Sequence, residues 1–243
     1  IVGMPVAKLD TGTIKKILDG GESVCAKARI PIAGGHTIDS LEPIYGLVVI
    51  GLVRPDHVKR NFGAKPGDKL ILGKGLGVGI YSAAFKKEAL KAHDYEAMIA
   101  STTQLNTPGP ALACLDGVHA LTDVTGFGLG GHLLEICKAS GVAASLDFNA
   151  LPILPNALDY AREGFVTGAS RNLQSYGTLL TLADRLGEPE RNLLADPQTS
   201  GGLLVACAPD TVTEVLSIFL QQGFERASVI GEVIEGLPRV VVA

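Results

Sequence analysis

The sequence predicts a fold of mixed helices and strands in two parts, either α/β or α+β. Three observations carry this. Short β-rich runs alternate with stretches whose apolar residues recur at helical spacing. A segment of Pro, Gly and mixed charge, Arg54–Asp68, interrupts the order and marks a boundary. The 30 glycines gather in loops, where strands pass into helices.

In chain order, Ile1–Pro5 reads as the tail of a strand. From Thr11 to about Ala28, Ile14, Ile17, Leu18, Val24, Cys25 and Ala28 keep a helical period behind Asp10, a plausible N-cap. Ile30–Ala33 reads as a short buried strand ending in Gly34-Gly35-His36-Thr37. Pro43–Val53 is rich in β-branched and aromatic residues and predicts a strand, broken by Arg54-Pro55. After the boundary, strand Lys69–Leu72 enters Gly73-Lys74-Gly75-Leu76-Gly77-Val78-Gly79, which opens a helix to about Leu90. Helices are expected over Asp94–Thr103 and from near Pro110, then strand His119–Thr122 and a helix from about Gly128 to Ala139. Strand Ala143–Phe148 and helix Pro155–Glu163 follow. Gly168–Gly177 is polar without a period and predicts a loop or lid. Strand Leu203–Ala208, helix Asp210–Gln222 and strands Ser228–Ile234 and Arg239–Val242 complete the chain.

With 243 residues there is ample material for a core. A composition 47% hydrophobic and 19% charged excludes disorder and fits a soluble globular protein. A net charge of -4, without a Lys/Arg cluster, argues against nucleic acid as a partner. The apolar runs are too short to span a bilayer, so no membrane is expected. A first residue of Ile rather than Met suggests that sequence is missing upstream. Cys25, Cys114, Cys137 and Cys207 are scattered singly, with no C-x-x-C or Cys/His spacing. They read as reduced, buried apolar residues of a cytoplasmic protein.

The chemistry concentrates in Leu121–Ile136, LTDVTGFGLGGHLLEI. A carboxylate at a strand end, followed by glycines that open a helix, can share a hard cation with phosphate oxygens. The same pattern also suits a plain strand–turn–helix connection with an exposed aspartate. Gly73–Gly79 is not a Walker A loop, which needs four residues between Gly and Gly-Lys-Ser/Thr, and reads as a tight turn. Asp196-Pro197-Gln198-Thr199-Ser200-Gly201-Gly202 reads as an Asx-type turn or as an anion nest.

Together, IPIAGGHTIDSLEPIYGL, LTDVTGFGLGGHLLEI and LLADPQTSGGLL resemble the selenophosphate synthetase (selenide, water dikinase) family, within the superfamily of aminoimidazole ribonucleotide synthetase. The likeness runs in order over essentially the whole chain. It implies an α+β organisation: residues 1–66 as the C-terminal part of an N-terminal ATP-binding and dimerisation domain, and 67–243 as a C-terminal α/β domain. It also implies conversion of ATP, selenide and water to selenophosphate, AMP and phosphate, with magnesium, in a homodimer. Carried over by position, Gly34, Gly35, His36 and Thr37 match the nucleotide-contacting segment, and Asp123 matches a magnesium ligand. DPQTSGG matches a signature without a role to transfer. The cysteine or selenocysteine and the lysine of relatives are expected upstream of Ile1, so no catalytic nucleophile is assigned. Two alternatives stand beside this reading: a non-catalytic nucleotide-binding or dimerising fragment, and another ATP-using member of the superfamily.

Overall fold

The computed structural model describes all of residues 1–243. By compactness the chain forms two units, Ile1–Arg54 and Pro55–Ala243.

In the first unit, β1 (Val2–Met4) lies between β2 (Thr37–Asp39), parallel to it, and the two-residue β3 (Ile44–Tyr45), antiparallel. Helix α1 spans Thr11–Ala28. Its start is fixed by Asp10, whose carboxylate accepts from the Thr13 N–H at 3.0 Å and from the Thr13 hydroxyl at 2.6 Å. It ends at Arg29 in the left-handed region. Two expectations fail here. Ile30–Ala33 is exposed and irregular, and the strand forms later, where Thr37–Asp39 meets β1. Only Ile44–Tyr45 of the Pro43–Val53 run pairs. Val48, Ile50 and Leu52 stand 89%, 91% and 105% exposed, because β-propensity needs a partner strand and this unit supplies none.

The second unit is built on a seven-stranded sheet in the order β5-β8-β4-β9-β6-β10-β7. The strands are β4 (Lys69–Leu72), β5 (Val118–Asp123), β6 (Ala143–Leu146), β7 (Leu180–Leu182), β8 (Leu203–Cys207), β9 (Ser228–Ile234) and β10 (Val240–Val242). From β5 to β6 the neighbours are antiparallel; β6, β10 and β7 run parallel. All five residues of β8 are buried, because side chains alternate between two cores. Leu204 and Ala206 join Leu70 and Leu72 beneath α2 (Val78–Lys86), α5 (Gly128–Ser140) and α6 (Ala157–Arg162). Leu203, Val205 and Cys207 join Ile71 on the other face, with Leu112 of α4 (Gly109–Ala113) and Val215 and Phe219 of α9 (Val212–Gln221). The sheet is a middle layer with a helical layer on each face.

Helix α3 (Ala92–Thr103) falls close to its expected span, whereas α2 stops at Lys86, short of Leu90. Gly168–Gly177 is not a loop: Ala169–Tyr176 forms α7, which buries Ala169 and Tyr176 and exposes Ser170, Arg171, Gln174 and Ser175. Helix α8 (Glu188–Leu194) and β7 carry no strong periodic signal and complete the set. Cys25, Cys137 and Cys207 are buried free thiols, but Cys114 is exposed, with its sulfur 3.8 Å from His57 Nδ1.

Candidate functional site: two glycine-rich loops and a strand-end carboxylate

The candidate residues fall on both units. In the first, Gly34 and Gly35 are irregular, and Thr37 opens β2 opposite Val2. The His36 carbonyl accepts from Val2 N–H at 3.0 Å, which ties the loop to β1. The amides of Gly34 and Gly35 donate to no group of the chain. Neither glycine has a positive φ, and a Cβ at either would meet nothing within 4 Å. The chain's own packing therefore does not require glycine here; the space beside these amides is open. A hollow of about 520 Å³ adjoins them, with Ile30, Ile32, Leu47 and Val49 among its walls. His36 and Thr37 are exposed.

In the second unit, β5 carries Asp123 to the end of the sheet, in register with Leu203. Its carboxylate is exposed and takes no hydrogen bond from the chain. The turn behind it is tightly held. Val124 N–H donates to Gly202 O at 3.0 Å, while Thr125 O accepts from the N–H groups of Gln198 (2.9 Å) and Gly128 (3.0 Å). Gly128 has φ +69, and a Cβ there would press on the Leu194–Ala195 backbone. A Cβ on Gly201 would lie 1.9 Å from Val124 O. These two glycines are demanded by the packing of backbone on backbone.

The DPQTSGG segment is therefore a brace. Asp196 and Gln198 are buried, and both cap α2. Asp196 Oδ2 accepts from Gly79 N–H at 2.9 Å, and Gln198 Oε1 accepts from Gly77 and Val78 N–H at 3.2 and 3.3 Å. Gln198 Nε2 donates to Asp196 Oδ2 at 2.8 Å. Burial, opposed by these bonds, pushes the Asp196 carboxyl up to about 7, and its Oδ1 has no hydrogen-bond partner. The Asx bond itself is absent, because Gln198 N–H donates to Thr125 O rather than to the Asp196 carboxylate, and Asp196 and Gln198 point their acceptors at α2.

Lys74 of the Gly73–Gly79 turn is braced too. It is 3% exposed, and its ammonium donates to the carbonyls of Gln104 (2.6 Å), Ser200 (2.7 Å) and Ser101 (3.1 Å). Two of these belong to the C-terminal end of α3, where a cation also meets the favourable end of the helix dipole. Its acceptors are carbonyls rather than carboxylates, and burial pushes the ammonium down to about 8. This matches the reading of a tight turn.

One group was not singled out from the sequence. Thr125 Oγ1 stands 3.1 Å from His132 Nε2, and His132 Nδ1 stands 3.0 Å from Glu135 Oε2. His132 and Glu135 share a face of α5 at i,i+3 spacing, a signal that was available. Which hydroxyl meets the histidine depends on how the turn folds back, and spacing does not show that.

Residues 65–242 match the family described as AIR synthase related protein, C-terminal domain, and residues 1–53 match its N-terminal domain. Selenide, water dikinase of Dechloromonas aromatica (strain RCB) is 66% identical over 241 residues, covering 99% of this chain and 69% of that protein. The chain belongs to the selenide, water dikinase family. The family member from Paraburkholderia xenovorans (strain LB400) is 58% identical over 243 residues, 100% of this chain and 69% of its own length. Among solved structures, thiamine-monophosphate kinase from Stenotrophomonas maltophilia K279a superposes with a TM-score of 0.70 at 22% identity, over 99% of this chain and 69% of that one. Hydrogenase maturation protein HypE in complex with ATP gives 0.70 at 17%, over 99% and 68%. These two likenesses show the fold alone, which this chain shares with both proteins.

Proposed function

We propose that this selenide, water dikinase family chain serves the ATP-dependent synthesis of selenophosphate from selenide and water, with release of AMP and phosphate. The observation that carries the reading is the 66% identity to a selenide, water dikinase over 99% of the chain. The open loop of the first unit supports it. Unpartnered amides at Gly34 and Gly35, with the Thr37 hydroxyl and His36 nearby in sequence, form a donor set suited to ATP phosphates.

Magnesium is the ion this chemistry calls for, because phosphoryl transfer depends on positioning and on neutralising phosphate charge. The structure fits such an ion in one respect: Asp123 is an exposed carboxylate with no competing partner in the chain. No group of three or more His, Cys, Asp or Glu side chains gathers around it or elsewhere. Asp123 would thus supply one ligand, with phosphate oxygens and water among the others. The chain's own contribution is to hold that carboxylate at a rigid strand end while leaving it unpaired.

The domain assignment, residues 1–66 for ATP binding and dimerisation and 67–243 for the C-terminal domain, belongs to the same proposal, as does a homodimer. Support for the homodimer is the exposed apolar run Leu47–Val53. No helix is long and apolar enough to cross a membrane. The four free thiols support a reducing compartment, the cytoplasm.

The test is AMP formation from ATP with and without selenide. Selenide-dependent AMP is the expected result. ATP binding without turnover would assign a non-catalytic nucleotide-binding role, and turnover with a different acceptor would move the chain to another branch of the superfamily.

A further inference from the structure

We propose that His132, held by Glu135, is a positioning residue that fixes the direction of the Thr125 hydroxyl, two residues beyond Asp123. The inference rests on the metal-and-nucleotide reading of the Asp123 turn, and its first test does not depend on that reading.

The argument starts from which atoms can donate. Ionised Glu135 is an acceptor only, so at 3.0 Å from its Oε2 the His132 Nδ1 carries the proton. In the neutral ring the lone pair lies at Nε2, and Thr125 Oγ1, 3.1 Å away, donates to it. The single Thr125 proton is thereby used inward, leaving the lone pairs of its oxygen available on the outer side. Thr125 is partly exposed and Gly126 beside it is exposed, so that side is open to solvent. Asp123 and Thr125 thus both offer oxygen acceptors at this turn, the character a hard cation requires. Without the histidine the hydroxyl would rotate freely and could present its proton instead.

The surroundings hold this arrangement still. His132 is 8% exposed and lies under the Phe127 ring, 5.8 Å between centroids. Phe127 is anchored in turn by the Tyr176 hydroxyl, which donates to its carbonyl at 2.5 Å. The Asn172 amide donates to Gly126 O and Ala195 O, both at 2.9 Å. Every bond of the chain Glu135–His132–Thr125 lies on the second unit. The His132 side chain is 11% and the Glu135 side chain 43% exposed, and both act on the turn through the threonine. The logic is that of a carboxylate-oriented histidine fixing a tautomer for the group it touches.

Two measurements test this. Long-range ¹⁵N–¹H spectra of protein labelled at histidine nitrogen report the tautomer directly, without substrate. The expected pattern for His132 is a protonated Nδ1 and an unprotonated Nε2, and an Nε2–H tautomer at neutral pH overturns the proposal. Magnesium-dependent ATP binding is then measured by calorimetry for T125V, T125S, H132L, H132Q and the T125V/H132L double variant, with thermal unfolding confirming that each is folded. T125V and H132L should each weaken binding about tenfold, the scale of one hydrogen bond to a charged group, and the double variant no further. H132Q, whose amide oxygen can accept from Thr125, should recover most of the loss, and T125S should bind normally. Additive losses, normal binding by H132L, or binding by H132Q as weak as that of H132L would overturn the positioning role. If the unaltered protein binds no magnesium–ATP while showing the expected tautomer, the functional reading fails and the assigned hydrogen-bond direction stands.

Discussion

Asp123 and Asp196 are both carboxylates of glycine-containing turns, and their surroundings set them opposite tasks. Asp123 is exposed and unpaired, so Asp123→Asn should leave thermal stability within about 0.5 kcal/mol of the parent, as for an ordinary surface change. Selenide-dependent AMP formation should fall by more than about a hundredfold, the rate equivalent of losing several kcal/mol of charge neutralisation. Normal turnover in this variant would remove Asp123 from the metal site. Asp196 is buried, and burial raises its carboxyl from 3.8 to about 7 in the folded chain. Between those values the folded state binds the proton and the unfolded state does not, so this group makes stability fall as pH rises from about 4 to about 7 and has no further effect above. Asp196→Asn can keep an amide oxygen toward Gly79 N–H and Gln198 Nε2 while removing the charge. Urea midpoints from pH 4.5 to 8 should therefore show a shallower decline for the variant, with equal or higher stability above pH 7. Parallel curves for the two proteins would show that Asp196 does not carry the slope.

The elements at this end of the sheet are joined by buried polar side chains as well as by backbone hydrogen bonds between the turns. Lys74 illustrates the cost of removing one. Lys74→Met fills similar space but leaves the Ser101, Gln104 and Ser200 carbonyls without their donor, and should destabilise the second unit by about 2–3 kcal/mol in urea unfolding. An unchanged midpoint would mean that water replaces the ammonium without loss. At this scale the sequence was readable wherever local signals agree. Asp10 before a periodic run specified α1, and the β5–turn–α5 order was legible because the glycines fall between a strand pattern and a helical one. It was unreadable where tertiary partners decide. In α7 only Ala169, Leu173 and Tyr176 mark the inner face, too few apolar residues to outweigh a polar composition. Ile30–Ala33 and Leu47–Val53 have strand composition, but a strand exists only where another chain segment hydrogen-bonds to it. The brace function of Asp196 and Gln198 was likewise hidden, because their partners, Gly77, Val78 and Gly79, lie some 120 residues away in sequence.

At the scale of the molecule, the two units differ in how completely they bury their apolar residues. The seven-stranded sheet has a core on each face, whereas the three-stranded sheet of the first unit leaves Ile38 and Ile44 about half exposed and the Leu47–Val53 run largely bare. Exposed apolar segments of this length with β-forming residues are unusual on a monomer and pair readily with another chain. The proposed homodimer is the occupant that requires no further component, since two copies bring two identical segments together. Sedimentation velocity over a range of concentrations should then show a dimer. The double variant I50K/L52K, altered at positions 91% and 105% exposed, should shift the protein to monomer while leaving its thermal unfolding midpoint at low concentration unchanged. Buried charge at a dimer interface is costly because each ammonium would lose water without gaining a partner, whereas the same lysines on a free surface cost almost nothing. A monomeric parent protein, or a variant that associates as tightly as the parent, would place the dimer contact elsewhere or remove it from the account.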